Sequence, residues 1–236
     1  MNIGVFKFTS CGGCQYSLLD LGESLLKFKI SYFTELSSKN IFSPLDLALI
    51  EGSVTTNEEE NFLKKIRKNA RYLVALGACA VSGGIQAIQE DKSSNRIRPY
   101  SKPLADFVPV EFELRGCPIS KHHLLEVLFS LSVGSMPLLP DYPLCLDCKR
   151  KGNPCLIVTK GVLCLGVITQ GGCGAICPSK GRGCYGCFGP VKKVNLKAFF
   201  KCCLRLGLSE EEAIQALKNS FNGYHPDLRE LYENIS

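Results

Sequence analysis

The sequence lacks a hydrophobic run long enough to cross a membrane. Its longest apolar region, Leu124–Leu139, is interrupted by Glu126, Gly134 and Pro137, whereas a membrane helix needs about 20 predominantly apolar residues. The chain also begins directly on a strand-like pattern, so we expect neither a signal peptide nor a twin-arginine leader. These absences predict a cytoplasmic protein that does not associate with a membrane.

The sequence also lacks the patterns of a nucleic-acid-binding protein. Its formal net charge is +6 over 236 residues, but no basic stripe is interleaved with aromatic residues. That count treats all 14 cysteines as neutral, whereas a 4Fe–4S core held by four thiolates carries roughly −2. The basic excess is therefore what charge balance with thiolate-bound cofactors requires, and we predict no nucleic-acid partner.

Up to about residue 135 the sequence alternates between strand-like and helix-like segments. Short apolar runs that end at glycine or a polar residue are typical of strands buried on both faces of a parallel sheet. The order of segments predicts an α/β fold with a flavodoxin-like parallel sheet. The predicted strands are Ile3–Phe8, Ile30–Phe33, Leu45–Ile50, Tyr72–Leu76 and Glu111–Leu114, and the predicted helices are Gln15–Phe28, Asn57–Asn69 and Ser120–Leu131.

The segment 141–190 differs because it contains eight cysteines and ten glycines but little hydrophobic periodicity. A stretch of that length without regular structure is uncommon in a compact domain. We therefore expect metal centres, rather than a conventional core, to hold it together. Helical patterning returns afterwards, with a capping box that begins at Ser209. The sequence predicts a flavodoxin-like domain at 1–140, an irregular cysteine-rich iron–sulfur domain at 141–190 and a helical segment at 191–236.

Four cysteines lie just beyond the carboxyl ends of predicted strands. Cys11 and Cys14 flank a Gly-Gly pair after the first strand. Cys79 follows the fourth strand and Cys117 follows the fifth. Open parallel sheets build their binding sites at this edge, so four thiolates there predict an iron–sulfur cluster. A thioredoxin-like dithiol is the alternative for Cys11 and Cys14 alone, but it leaves the other two cysteines unexplained.

The remaining cysteines of the tail form two local groups, each with one C-x-x-C pair and two single cysteines. Cytoplasmic cysteines at such density are usually metal ligands or catalysts. We favour an iron–sulfur site for each group, because a four-cysteine zinc site usually shows two close pairs. Zinc remains the alternative, although no histidine lies in this segment. The groups are Cys145, Cys148, Cys155 and Cys164, and then Cys173, Cys177, Cys184 and Cys187.

Other polar residues near these cysteines are interpreted as structural. Glu51 follows the third strand near the first group; we predict a capping or hydrogen-bonding role, with a proton route as the alternative. His122 and His123 are predicted to lie on a solvated helix face. Cys202 and Cys203 occur in an amphipathic stretch and are predicted to be packing residues.

The motifs TSCGGCQ, IEGS, GACAVSGG and RGCP precede an eight-cysteine tail that ends in GCYGCFGP, all between residue 3 and about residue 190. In this combination the chain resembles the small subunits of nickel–iron hydrogenases, and among them the cytoplasmic sulfhydrogenase delta subunits and the methyl-viologen-reducing hydrogenases. The resemblance implies an electron-transfer subunit of an enzyme whose nickel site lies in a separate large subunit. It also implies three 4Fe–4S clusters as cofactors.

The resemblance further assigns each group of cysteines a place in an electron relay. Two departures from the periplasmic members favour ligation by cysteine alone. Cys145 stands where they commonly have a histidine, and Cys177 stands where many have a proline and a 3Fe–4S cluster. The implied sites are proximal for Cys11, Cys14, Cys79 and Cys117, medial for Cys173, Cys177, Cys184 and Cys187, and distal for Cys145, Cys148, Cys155 and Cys164.

By resemblance, the partners are the hydrogenase large subunit and further flavin- or NAD(P)-binding and iron–sulfur subunits, with NAD(P) or polysulfide as the acceptor. The chain itself offers no nucleotide fingerprint: GRGCYG at 181–186 matches one by letter, but no strand precedes it. The complex I cluster subunit fits less well because it has adjacent cysteines where this chain has Gly12-Gly13 between them. Two other interpretations stay open, an iron–sulfur carrier of a complex without nickel and a zinc-binding scaffold.

Overall fold

The chain folds into two compact units, Met1–Leu139 and Pro140–Ser236, and each is described by itself. Within the described ranges, no helix is long and apolar enough to span a membrane. The computed structural model describes residues 1–38, 41–88, 101–221 and 225–228.

The first unit is built on a five-stranded parallel sheet. Its strands are β1 Asn2–Lys7, β2 Lys29–Phe33, β3 Leu45–Glu51, β4 Ala70–Leu76 and β5 Phe112–Leu114. They are ordered β2-β1-β3-β4-β5, and every neighbouring pair is parallel. This is the flavodoxin-like order, and it confirms the predicted fold class.

The helices of the first unit follow the prediction with one correction. They are α1 Gly13–Leu19, α2 Asn57–Asn69, α3 Gly77–Ser82 and α4 Lys121–Ser132, with 3-10 helices at Gly22–Lys27, Gly84–Ala87 and Leu104–Asp106. The single helix predicted over Gln15–Phe28 is wrong, because α1 ends at Leu19 and a separate 3-10 helix follows. Gly22 has a φ of +52°, a left-handed conformation that glycine adopts readily and that interrupts the α-helix.

Helices cover both faces of this sheet, so its strands are buried on either side. Along β1, Ile3 and Val5 pack in one core with residues of α1 and α4, whereas Phe6 packs in a second core with residues of α2. The side chain of Thr56 caps α2 by accepting a hydrogen bond from the backbone N of Glu59 at 3.2 Å. The packed sheet is a fixed platform whose carboxyl edge carries the loops of interest.

The second unit contains short helices around its own apolar core. The helices are α5 Cys145–Arg150, α6 Leu156–Lys160, α7 Ile176–Ser179, α8 Leu196–Arg205 and α9 Glu210–Lys218, with a 3-10 helix at Leu165–Val167. Leu144 and Ile168 of the cysteine-rich segment pack in one cluster with Phe199 of α8 and Leu217 of α9. The expectation of a segment without regular structure or a conventional core is therefore wrong. The predicted capping box at Ser209 begins α9, whereas the finer division of this unit stays a prediction.

Candidate functional site

The carboxyl edge of the sheet carries the first group of cysteines. Cys11 and Cys14 lie in the turn from β1 into α1. Cys79 lies on α3 directly after β4, and Cys117 lies in the loop after β5. Because β1, β3, β4 and β5 are consecutive neighbours in the sheet, their carboxyl ends form one continuous edge, with Glu51 at the end of β3.

The four thiols of this group are close enough to affect one another's ionisation. Burial raises the pKa of Cys79 to about 12, and the negative charges of Cys117 and Cys11 add to the rise. Burial also raises the pKa of Cys14, with further contributions from Glu51 and the other thiols. A cation bound to these sulfurs would reverse that preference, because it stabilises the thiolate form.

Two glycines leave space directly beside these sulfurs. A Cβ atom on Gly77 would lie 2.4 Å from Cys14 Sγ, and a Cβ atom on Gly84 would lie 2.9 Å from Cys79 Sγ. Gly77 also has a φ of +80°, which residues with a Cβ atom rarely adopt. The sulfurs therefore pack against bare backbone, as a site for a bulky inorganic group requires.

Glu51 holds the loop that carries Cys11 and Cys14. Its side chain is only 2% exposed. One oxygen, Oε1, accepts a hydrogen bond from the backbone N of Cys14 at 3.2 Å, and Oε2 accepts one from the backbone N of Gln15 at 3.1 Å. The N-cap residue of α1 is Gly12, which has no side chain to cap the helix, so Glu51 satisfies two N–H groups of the first turn from β3. Burial raises the pKa of Glu51, while these two N–H groups lower it.

We expect Glu51→Ala to lower the free energy of unfolding by roughly 2–6 kcal/mol, because two buried N–H groups lose their acceptor at about 1–3 kcal/mol each. Glu51→Gln keeps one acceptor oxygen and should cost about half as much. Chemical denaturation of the full chain measures both. Glu35→Ala is the control, because it removes only a partly exposed ion pair with Lys7 at 2.6 Å and should cost at most about 1 kcal/mol. Equal losses for Glu51→Ala and Glu35→Ala would contradict the capping role.

The second group of cysteines lines a single cavity in the second unit. Cys145 and Cys148 lie one turn apart on α5. Cys155 immediately precedes α6, and Cys164 immediately precedes the 3-10 helix that follows. All four border a cavity of about 100 Å³ with largely apolar walls. Burial raises the pKa of Cys145 to about 11, and the other three thiols raise it further. The structure therefore brings these four predicted ligands together.

The third group is placed as two neighbouring pairs. The negative charge of Cys177 raises the pKa of Cys173, although burial contributes more. Burial raises the pKa of Cys184 to about 12, with a contribution from Cys187. The backbone N of Cys184 donates to Cys164 Sγ at 3.2 Å, so this group adjoins the second one. That the two pairs bind one group stays a prediction.

The donor sets suit a cluster with several metal atoms. Among the described residues, no three His, Cys, Asp or Glu side chains converge on a position for a single metal ion; a 4Fe–4S cluster instead takes each thiolate on a different iron atom. The backbone N atoms of Gly13 and Gly186 donate to the sulfurs of Cys11 and Cys184, both at 3.4 Å. Such bonds stabilise thiolate ligands. Four buried thiols, bare backbone and N–H donors together fit a thiolate-bound iron–sulfur group.

Two buried polar residues near these cysteines escaped the sequence analysis. The amide N and O of Gln15, beside Cys14, are buried without a hydrogen-bond partner in the described part of the chain. Asp147, between Cys145 and Cys148, is 7% exposed. A polar residue inside a cysteine motif was the only signal in the sequence, and it does not distinguish a buried side chain from an exposed one.

The residues predicted to be structural are placed mostly as expected. Cys203 is 1% exposed and packs in the core of the second unit, as predicted. Cys202 is half-buried on α8. His122 is exposed on the first turn of α4, whereas His123 beside it is half-buried. The solvated face predicted for both histidines therefore describes His122 alone.

Known proteins resemble this chain along most of its length. Residues 11–131 match the family described as NADH ubiquinone oxidoreductase, 20 Kd subunit. Sulfhydrogenase 2 subunit delta of Pyrococcus furiosus is 37% identical over 233 residues, which cover 92% of this chain and 98% of that protein. A vhu subunit of the F420-non-reducing hydrogenase of Methanocaldococcus jannaschii is 30% identical over 240 residues, which cover 82% of this chain and 83% of that protein.

A solved structure shares the fold of the first unit. In an NAD+-reducing NiFe hydrogenase determined in the H2-reduced state, one chain superposes with a TM-score of 0.52 at 28% identity. The superposition covers 59% of this chain and 95% of that one. The family match spans Cys11, Cys14, Cys79 and Cys117, the same four cysteines that the sheet edge brings together. The chain therefore belongs to the NADH ubiquinone oxidoreductase 20 kDa subunit family and, within it, to the small subunits of hydrogenases, which makes it one subunit of a redox enzyme.

Proposed function

We propose that this chain is the electron-transfer small subunit of a cytoplasmic nickel–iron hydrogenase. It holds three 4Fe–4S clusters and connects the nickel–iron site of a large subunit to an NAD(P)- or polysulfide-linked partner subunit. The complex would interconvert H2 with two protons and two electrons. Iron–sulfur clusters supply one-electron transfer when bound.

One observation carries this proposal. Three separate loops bring four thiols to the carboxyl edge of the sheet, in a chain that is 37% identical to a sulfhydrogenase delta subunit over 92% of its length. The neighbouring groups of the second unit add eight more thiols, four of which share one cavity. A dithiol such as thioredoxin's would need only Cys11 and Cys14, and it would leave the coupling of Cys79 with Cys117 without a role.

The protein residues contribute binding, positioning and the exclusion of water. Cys11, Cys14, Cys79 and Cys117 would hold the proximal cluster, and Glu51 fixes the loop that presents the first two. The apolar walls around the second group keep water from its sulfurs, which favours a stable relay over reaction with solvent. The medial ligands would be Cys173, Cys177, Cys184 and Cys187, and the distal ligands Cys145, Cys148, Cys155 and Cys164.

The partner surfaces follow from the order of these sites. The edge with the proximal cysteines would face the large subunit, because that cluster must receive electrons from the nickel–iron site. The region around Cys145 and Lys149–Lys151 would face the next carrier, a flavin- or cluster-containing subunit. The basic side chains there suit an acidic redox partner.

Reduction by H2 tests the proposal. The complex is purified anaerobically through an affinity tag on this chain, and its visible iron–sulfur absorbance is recorded under argon, under H2 and after dithionite. We expect H2 to bleach the absorbance nearly as far as dithionite does. Bleaching by dithionite alone would contradict the hydrogenase function and would leave an iron–sulfur carrier of another redox complex.

A further inference from the structure

Asp147 joins the two cysteine groups of the second unit. It lies on α5 between Cys145 and Cys148, yet its carboxylate bonds to the loop of the other group. Its Oδ2 atom accepts a hydrogen bond from the backbone N of Gly172 at 2.7 Å and another from the backbone N of Gly174 at 3.1 Å. These two donors flank Cys173, so the carboxylate fixes the backbone on both sides of that cysteine.

The loop around Cys173 has little else in regular structure to hold it. Gly172, Gly174 and Ala175 all have positive φ values, of 109°, 67° and 51°, so this stretch cannot continue a helix or a strand. Tyr142 supports the same contact from the other side, because its hydroxyl hydrogen-bonds the Asp147 carboxylate. The position of Cys173 relative to α5 therefore depends on one carboxylate.

A second connection joins the two groups at their other end. The backbone N of Leu165 donates to the carbonyl O of Cys184 at 3.1 Å, and the backbone N of Cys184 donates to Cys164 Sγ at 3.2 Å. The Asp147 contact and this pairing each tie one pair of the third group to the second group. Two ties at separate points fix both the distance and the orientation between the groups, whereas one tie would leave a hinge.

The charge of Asp147 acts mainly on the third group. Burial raises the pKa of the Cys173 thiol, and the nearby Asp147 carboxylate raises it further. The causes of the raised pKa of Cys145 are burial and its fellow thiols. A fixed negative charge that is felt more strongly by one of two neighbouring redox sites makes that site harder to reduce than the other.

We propose that Asp147 is a positioning residue that sets the spacing of the two tail clusters and lowers the reduction potential of the one bound through Cys173. This inference rests on the proposed cluster sites. It adds a direction to the relay, because the charge favours the electron on the group of Cys145, Cys148, Cys155 and Cys164.

Two substitutions separate the hydrogen bonds of Asp147 from its charge. Both N–H groups bond to the same oxygen, so Asp147→Asn can keep both bonds through Oδ1 while it removes the charge. Asp147→Ala removes the bonds and the charge together. Asp141→Asn is the matched control, because it removes one carboxylate charge from an exposed position on the same unit.

Amide hydrogen exchange over residues 171–175 and a redox titration followed by EPR, both on the full complex, test the proposal. In Asp147→Ala we expect exchange at least about tenfold faster and an altered magnetic interaction between the two reduced tail clusters. In Asp147→Asn we expect wild-type exchange and wild-type magnetic interaction, with the potential of one tail cluster shifted upward. Asp141→Asn should match wild type in all three measurements.

Two results would overturn the inference. Wild-type exchange and magnetic interaction in Asp147→Ala would show that the carboxylate does not position the loop. Unchanged potentials in Asp147→Asn would remove the effect of its charge. Iron and labile sulfide are measured on every sample, so an absence of both from the wild-type tail contradicts the proposed function and is distinguished from either result.

Discussion

A Cys79→Ser variant is expected to lose about four of roughly twelve iron atoms and nearly all H2-dependent electron transfer. Cys79 is the only predicted ligand on α3, and its pKa is raised to about 12 by burial among the other thiols of the first group. The hydroxyl of serine is a far weaker ligand for iron than a thiolate. The two groups of the second unit use other cysteines and a separate core, so we expect their iron to remain.

Iron and labile sulfide per chain, together with H2-dependent dye reduction by the complex, measure this effect. Cys202→Ser is the matched control, because Cys202 is half-buried on α8 and belongs to none of the three groups. It should keep the full iron content and activity. Loss of all iron from Cys79→Ser would contradict independent sites, and an unchanged iron content would remove Cys79 from the ligand set.

Gly77→Ala is expected to empty the first site without changing any cysteine. The added methyl group would lie 2.4 Å from Cys14 Sγ, on a backbone with a φ of +80°. Real Cβ atoms do not approach so closely, so the sulfur or the backbone of α3 must move. We expect the loss of about four iron atoms per chain, with the tail iron retained and H2-dependent activity abolished.

Gly134→Ala separates backbone strain from the contact with sulfur. Gly134 has a φ of +75°, and nothing lies within 4 Å of its Cβ position. The substitution should cost about 1–2 kcal/mol of stability from the backbone alone and leave the iron content unchanged. Iron analysis and denaturation curves of both variants decide the matter. Full iron content in Gly77→Ala, or equal iron loss in Gly134→Ala, would contradict a site packed against Gly77.

The sheet could be predicted from the sequence because its signals are local. The β3 segment LDLALIE is an apolar run buried on both faces, and it ends at Glu51, the kind of strand found only in a covered parallel sheet. The carboxyl ends of such strands share one edge, which is why Cys79 and Cys117 could be grouped with Cys11 across the sequence. The break after Leu19 was missed because the apolar pattern continues across Gly22, and only the backbone conformation reveals it.

The contacts that organise the sites could not be predicted because they join residues far apart in the chain. The bond from Glu51 to the first turn of α1 spans 36 or 37 positions. The bonds from Asp147 to Gly172 and Gly174 span 25 and 27. No local pattern encodes such pairings. The apolar core of the second unit was missed for a similar reason, since Phe199 on α8 completes it from outside the cysteine-rich segment.

The most direct test of the account is elemental analysis of the complex that copurifies anaerobically with this chain. Nickel, iron, zinc and labile sulfide are measured per copy of the chain. Three thiolate-bound cubane clusters predict nickel together with roughly twelve or more iron atoms and a matching amount of sulfide. Zinc without labile sulfide would contradict the account, because it would make the cysteine groups structural sites with no part in electron transfer.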